Sequence, residues 1–318
     1  VGLKSVHDTI EASASVSSSP DRICTIPPRD FQFPPPGVNL RWPDTPQAQE
    51  VRLHQFKLPA VAAFTQSNPL DEQVLGDSEA PLGVISTGKS YLDVRRALLE
   101  LGIGAQQACS FGLKLYKVGM PWPLSQPGIR SFVRGTRKLI VVEEKRGLIE
   151  DQVRCILYGA TEAPEVVGKY NETGEPLFPV YGRLDASQIA IAIGERLTDY
   201  SNDDNLAGAL AALGKRTRQD QVADPPMVRT PYFCAGCPHN TSTIIPVGSR
   251  ALAGIGCHYM AQWMDRDTAT FTQMGGEGAS WIGESPFSKT DHVFQNIGDG
   301  TYFHSGLLAI RACVGARV

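Results

Sequence analysis

The chain has 318 residues, 42% of them hydrophobic and 20% charged, with 30 basic against 33 acidic side chains and a net charge of −3. That composition is of a soluble globular protein with room for two cores, and so even a charge balance gives nucleic acid no electrostatic footprint. No apolar run reaches membrane-spanning length, and seven cysteines in a chain this long fit a reducing cytoplasm better than a disulfide scaffold. With Val at position 1, targeting stays open.

Residues 1 to about 19 read as the end of a helix running into a serine-rich connector. From Pro20 to about Pro81 proline is dense, with Pro27-Pro28 and Pro34-Pro35-Pro36 the clearest cases. Such a run predicts an extended connector with short helical pieces, lying over other domains. Residues 1–81 are therefore taken as the end of a preceding domain and a connector.

Residues 82–158 are the most regular part. Leu82 to Thr87, Leu113 to Val118 and Leu139 to Glu144 predict strands, and Lys89 to Leu101 and Gly147 to Leu157 predict helices. Strands alternating with helices at this spacing make a parallel sheet with covered faces, whose ligands sit beyond the carboxyl ends of the strands. Those ends carry Ser86-Thr87-Gly88-Lys89, Gly119-Met120-Pro121-Trp122-Pro123 and Glu143-Glu144-Lys145-Arg146. The first lacks the glycine spacing of a nucleotide phosphate loop. The last is a charge run, whose default is surface ion pairing, with an interdomain or substrate-facing role the alternative.

Residues 159–227 predict loops and helices: a turn at Asn171 to Pro176, a helix from Asp185 to about Thr198, and a short apolar helix from Leu206 to Leu213. Lys215-Arg216-Thr217-Arg218 then opens a charged hinge that ends near Pro225-Pro226, the boundary to a last domain over 228–318. Internal repeats are absent.

Three cysteines stand in this last part, in Cys234-Ala235-Gly236-Cys237 and Gly256-Cys257-His258. Two thiols separated by two residues can hold one metal or part of a cluster on a single turn. His239 and His258 adjoin them, so a zinc site and unligated thiols stay open beside a cluster. Cys24, Cys109, Cys155 and Cys313 lie in apolar surroundings and are expected to be buried small hydrophobes. Further on, Phe294 to Ile297 predicts a short strand leading into Gly298-Asp299-Gly300. A carboxylate held at a strand end by glycines suits a hard cation bridging phosphates, and Asp-Gly is also an ordinary turn.

Taken in order, Gly88 to Arg95, Tyr116 to Pro123, Cys234 to Asn240, Gly256-Cys257-His258, Met274 to Gly278 and Gly298 to Tyr302 give the chain a family likeness. It resembles the central part of the long, fused indolepyruvate ferredoxin oxidoreductases, thiamine-diphosphate-dependent 2-oxoacid:ferredoxin oxidoreductases, over nearly its whole length. The resemblance implies an α/β protein: a parallel-sheet, transketolase C-terminal-like domain at 82–158, followed by the first part of a thiamine-diphosphate-binding α/β domain. It implies oxidative decarboxylation of an aryl 2-oxoacid to an acyl-coenzyme A, with electrons passed to ferredoxin. Asp299 would bind Mg2+, Gly275, Gly276, Glu277 and Gly278 would offer backbone N–H groups to the diphosphate, and Gly298 and Gly300 would frame it. Cys234, Cys237 and Cys257 would ligate a 4Fe-4S cluster completed by a fourth cysteine outside the chain. His304, one turn past Gly300, is a candidate to face the substrate, with a core or surface role the alternative.

The same resemblance implies that the glutamate activating the cofactor lies on a separate domain preceding Val1, that the second half of the magnesium motif follows residue 318 in a diphosphate-binding domain truncated here, and that missing domains of the same polypeptide complete the enzyme. The fragment alone is then expected to be inactive, and the intact protein a cytoplasmic homo-oligomer with no nucleic-acid or membrane partner. Two other readings stand beside it: a non-oxidative thiamine-diphosphate-dependent decarboxylase, and a zinc-stapled module making subunit contacts.

Overall fold

The computed structural model describes residues 41–222 and 229–318, together with 13, 15, 18–19, 24–29, 31–35 and 37–39, and gives no side-chain description for 218–222. The helix end expected over residues 1 to about 19 and the boundary near Pro225-Pro226 lie outside the described residues, except for isolated positions. The chain divides into two units, Val1–Val222 and Ala223–Val318.

The first unit is built on five strands: β1 (Glu72–Leu75), β2 (Leu82–Thr87), β3 (Leu113–Val118), β4 (Lys138–Val142) and β5 (Glu165–Val167). Their order is β1-β3-β2-β4-β5. β2 runs parallel to β3 and β4, β5 parallel to β4, and β1 antiparallel to β3. Both faces are covered, and the period of two sorts the side chains between them. Leu82, Val84, Leu113, Leu115, Ile140 and Val142 pack on one face, with Val94 and Leu98 of the helix Gly88–Glu100 and Ile189 and Ile193 of the helix Ala186–Leu197. Ile85, Tyr116, Val118, Leu139 and Val141 pack on the other, with Ile129 and Phe132 of the helix Gln126–Phe132 and Ile149 and Val153 of the helix Leu148–Leu157. A Cβ at Gly83 would stand 3.0 Å from Leu139 Cδ1 and 3.2 Å from Phe132, so the central strand is bare where the second face packs most closely.

The proline-dense run holds more helix than its composition predicts. Helices Pro46–Arg52 and Leu58–Ser67 are joined without a break by a π-helical segment, Leu53–Lys57. Pro46 occupies the first turn, where no N–H is needed, and Thr45 caps that turn by accepting from Ala48 N. Pro59 is accommodated because the preceding turn is the wider π form, in which Leu58 N–H bonds Leu53 O.

The charged hinge is likewise helical: one helix runs Asp204–Val222. Arg216 is held there by Ser187 Oγ (2.8 Å) and by Glu100 (3.6 Å), so its charge is used within the fold. Among the described residues no helix is long and apolar enough to cross a membrane.

The second unit carries a three-stranded parallel sheet: β6 (Ala251–Ala253), β7 (Thr268–Phe271) and β8 (Phe294–Gln295), in the order β7-β6-β8. β6 is buried throughout. A Cβ at Gly254 would fall 2.6 Å from the main-chain oxygen of Asn296, so glycine there lets the ends of β6 and β8 approach closely.

Candidate functional site

All three strands of the second sheet deliver a motif at their carboxyl ends. β6 runs into Gly254-Ile255-Gly256-Cys257-His258, β7 into Met274-Gly275-Gly276-Glu277-Gly278, and β8 into Gly298-Asp299-Gly300. In an open parallel sheet that edge is where ligands bind, most of all where the strand order reverses, as it does at β6, which has β7 on one side and β8 on the other.

The turn after β8 places Asp299 at the start of a short helical turn, Asp299–Thr301. Its side chain is exposed, and Oδ1 accepts Gly300 N–H at 2.8 Å. No atom lies within 4 Å of where a Cβ would stand on Gly298 or Gly300, so both glycines face open space. An exposed carboxylate on a bare turn at the sheet edge fits a cation carried in with a diphosphate. His304 lies in the π-helical segment Tyr302–Gly306, exposed, sharing a 2.5 Å hydrogen bond between Nδ1 and Ser305 Oγ. Ser305 in turn abuts the glycine loop after β7: a Cβ on Gly275, whose φ is +99°, would sit 2.4 Å from Ser305 Oγ.

Within that loop Glu277 is 1% exposed. Its Oε2 accepts Gly275 N–H at 2.6 Å, while Oε1 is buried without a hydrogen-bond partner. Gly276 N–H is bonded to Gln273 O at 2.9 Å. Two of the amides expected to meet a diphosphate are thus already engaged within the loop.

The cysteine turn closes through Cys237 N–H to Cys234 O at 3.0 Å, with Gly236 at φ +75°. Asn240 Nδ2 donates to the same oxygen at 3.0 Å. Cys237 Sγ lies 3.0 Å from His239 Nδ1, and the His239 ring packs on His258 with centroids 4.5 Å apart. Two histidines thereby connect the cysteine turn with the end of β6. Burial holds His258 below its ordinary pKa, the neighbouring His239 lowers it further, and the charge of Asp299 opposes both. Cys234 and Cys257 are exposed and Cys237 is half-buried. Among the described residues no three His, Cys, Asp or Glu side chains gather closely enough to hold a metal ion. As arranged, the three cysteines do not form a cluster or zinc cage.

The structure corrects two further expectations. Cys24, Cys109 and Cys155 are exposed and Cys313 is half-buried, so none of the four is a fully buried small hydrophobe. The Glu143-Glu144-Lys145-Arg146 run is no surface ion-pair ladder either. Glu143 is 5% exposed and its carboxylate accepts the N–H groups of Ile149 and Glu150, each at 2.8 Å. Burial pushes its pKa up, against the pull of those two N–H groups. Lys169, itself buried, donates to Glu143 O at 2.6 Å, and burial lowers its pKa. Glu144 pairs with Lys89 at 3.4 Å, and Lys89 also binds Asp93 at 2.7 Å. Lys114 was missed entirely. It is fully buried within β3, its ammonium donating to Ser78 O (2.5 Å) and Arg134 O (2.7 Å).

A parallel α/β sheet with its motifs on one edge is thus the setting in which the chain's relatives enter. A family model described as the indolepyruvate oxidoreductase domain matches residues 72–220. Indolepyruvate oxidoreductase subunit IorA of Thermococcus kodakarensis is 26% identical over 262 residues, covering 76% of this chain and 37% of the relative. The IorA of Pyrococcus abyssi is 25% identical over 299 residues (87% and 43%), and that of Archaeoglobus fulgidus 28% identical over 261 residues (79% and 37%). The chain is homologous, at low identity, to the IorA subunits of indolepyruvate oxidoreductases. It spans about two fifths of the length of these relatives. A solved 2-oxoglutarate:ferredoxin oxidoreductase from Magnetococcus marinus superposes loosely on 48% of this chain and 24% of its own, at 17% identity and a TM-score of 0.33.

Proposed function

We propose that this chain is the part of a 2-oxoacid:ferredoxin oxidoreductase that receives the metal-diphosphate end of thiamine diphosphate, within a protein that oxidises an aryl 2-oxoacid and passes the product to coenzyme A. The observation that supports this most is the convergence of three glycine-bearing motifs on the carboxyl edge of the second sheet. When bound, thiamine diphosphate supplies the electron sink for loss of carbon dioxide from a 2-oxoacid. Asp299 offers its exposed carboxylate to the divalent ion, with Gly298 and Gly300 leaving room for the diphosphate. Because Gly275 and Gly276 have already committed their N–H groups, the backbone amides of Glu277 and Gly278, together with an ion at Asp299, would hold the diphosphate. His304 stands one turn further on, exposed, where it can meet the substrate.

The 4Fe-4S cluster belongs to this reading through the family resemblance and not through the cysteine geometry. The domain limits 82–158 and 228–318, ferredoxin as acceptor, a cytoplasmic setting and a homo-oligomer are parts of the same proposal. It is tested on the full-length protein by calorimetric titration with thiamine diphosphate, with and without Mg2+. Binding that needs Mg2+ and weakens at least tenfold in Asp299→Ala supports it; binding indifferent to both rejects it.

A further inference from the structure

The motif Gly119-Met120-Pro121-Trp122-Pro123 plays no part in the site above, yet it is one of the most firmly held loops of the first unit. Asp71 Oδ1 accepts from Gly119 N at 2.8 Å and Met120 N at 3.2 Å. Gln152 then ties the loop twice more, donating to Pro121 O at 2.9 Å and accepting from Leu124 N at 3.0 Å. A Cβ at Gly119 would stand 2.2 Å from Leu70 O, so the loop is pressed against the segment before β1.

This fixed loop is one wall of a cavity of about 660 Å³ whose other wall is the helix Leu58–Ser67. The volume is of small-molecule size, and the cavity opens beyond the carboxyl end of β3, the functional edge of a parallel sheet. Its lining is mainly apolar: Leu58, Ala62, Met120 and Leu124, with the pyrrolidine rings of Pro123 and Pro127. Among the described residues no Asp or Glu lines it. Arg130 supplies its one permanent charge, and among the described residues that guanidinium has no ion pair or hydrogen bond. The hydroxyl of Thr65 is spent on Ala62 O at 2.9 Å. Arg130 also borders a shallower cleft that holds Glu162, with which it forms no ion pair.

Flat apolar walls bearing proline rings take an aromatic ring, and a lone guanidinium at the rim takes one carboxylate, for which its planar fork is shaped. We propose that this cavity binds a small aromatic monocarboxylate, with the ring between Met120, Pro123 and Leu58 and the carboxylate on Arg130. The site lies wholly in the first unit and does not rest on the thiamine diphosphate reading.

The test is a calorimetric titration of the 318-residue chain with 2-naphthoate, with the uncharged 2-naphthamide as comparator. The expected result is saturable one-to-one binding of the acid, weakened roughly tenfold or more in Arg130→Met, the loss of one charge-assisted pair. The amide binds no better to the wild type than the acid does to that variant, and Arg134→Met and Asp299→Ala leave the acid's affinity unchanged. Labelling the five methionines with 13C-methyl and assigning Met120 through Met120→Leu places the ligand, since the Met120 resonance shifts on titration. Absence of saturable binding, equal affinity in Arg130→Met, or an unmoved Met120 signal overturns the proposal. Arg130 is exposed, so its replacement leaves the core intact.

Discussion

Glu143 caps the helix that carries Glu150: its Oε1 accepts Glu150 N–H at 2.8 Å while its Oε2 accepts Ile149 N–H at the same distance. The carboxylate sits just past β4 and takes two of the amides that a helix start leaves unpaired. Replacing Glu143 by Ala strands both N–H groups in a buried setting, an expected loss of about 2–4 kcal/mol. Glu143→Gln keeps an acceptor and removes the buried charge, so it costs less than half as much. Urea unfolding at neutral pH checks both, and an alanine variant as stable as wild type contradicts the capping role.

Gly168 is tied to the same network. Glu150 Oε2 accepts Lys169 N–H at 2.8 Å, and a Cβ on Gly168 would fall 2.3 Å from that oxygen. Gly168→Ala must push the buried carboxylate off its partner, with an expected cost of about 1–3 kcal/mol. The double variant Gly168→Ala, Glu150→Ala relieves the clash, so thermal unfolding of the four proteins should show a clear departure from additivity.

Glu172 gives the fold a pH dependence of defined sign. Burial alone raises its pKa, but hydrogen bonds from Arg196 (2.6 and 2.9 Å) and Lys138 (2.8 Å) outweigh that and bring it from 4.5 to about 2. A carboxyl whose folded value lies below its unfolded one stabilises above pH 4.5, and that stability is lost as pH falls through about 2. The stability gap between wild type and Glu172→Gln should therefore be level above pH 5 or so and close progressively toward pH 2. A gap that widens on acidification removes this account.

What the sequence discloses follows from which physical signals are local. The alternation that sorts Leu82, Val84 and Ile85 onto two faces belongs to one strand, and so β2, β3 and β4 can be read directly. β1 and β5 are edge strands of four and three residues, too short to show a period, and take their conformation from the neighbour they pair with. Glu143 looks like a surface residue because three charged residues follow it, whereas its burial is set by a helix that starts at Leu148 and offers it the N–H groups of Ile149 and Glu150. Gly275, Gly298 and Asp299 stand out as glycine-framed turns after short strands, a local pattern. The packing of His239 on His258 joins two turns nineteen positions apart and has no local signal.

Two glycines hold the edge of the second sheet together, and each forbids a methyl group for a different reason. Gly254 faces the main-chain oxygen of Asn296 at 2.6 Å from a Cβ position, so Gly254→Ala must part β6 from β8. Gly275 has φ +99° and a Cβ there would fall 2.4 Å from Ser305 Oγ, so Gly275→Ala adds backbone strain to a clash with a movable side chain. Both variants should unfold at lower temperature than wild type. Pairing Gly275→Ala with Ser305→Ala should recover part of its loss, while Gly254→Ala, which meets backbone, recovers nothing from that change.

The cysteines offer a check on both the correction and the site. Alkylation depends on access to the sulfur and on thiolate character. In the metal-free chain Cys24, Cys109, Cys155, Cys234 and Cys257 are exposed, whereas Cys237 and Cys313 are partly covered, and Cys237 also lies 3.0 Å from His239 Nδ1. Short treatment with iodoacetamide at neutral pH, followed by peptide mass spectrometry, should modify Cys24, Cys155, Cys234 and Cys257 well before Cys313, with Cys109 lagging them because its local surroundings and the neighbouring Asp77 push its pKa up. Cys237 is the informative one: the His239 ring lies 3.0 Å from its sulfur, so His239→Ala uncovers Cys237 and should speed its alkylation while leaving Cys313 unchanged. A Cys237 rate that His239→Ala does not change would mean that the ring does not shield the sulfur.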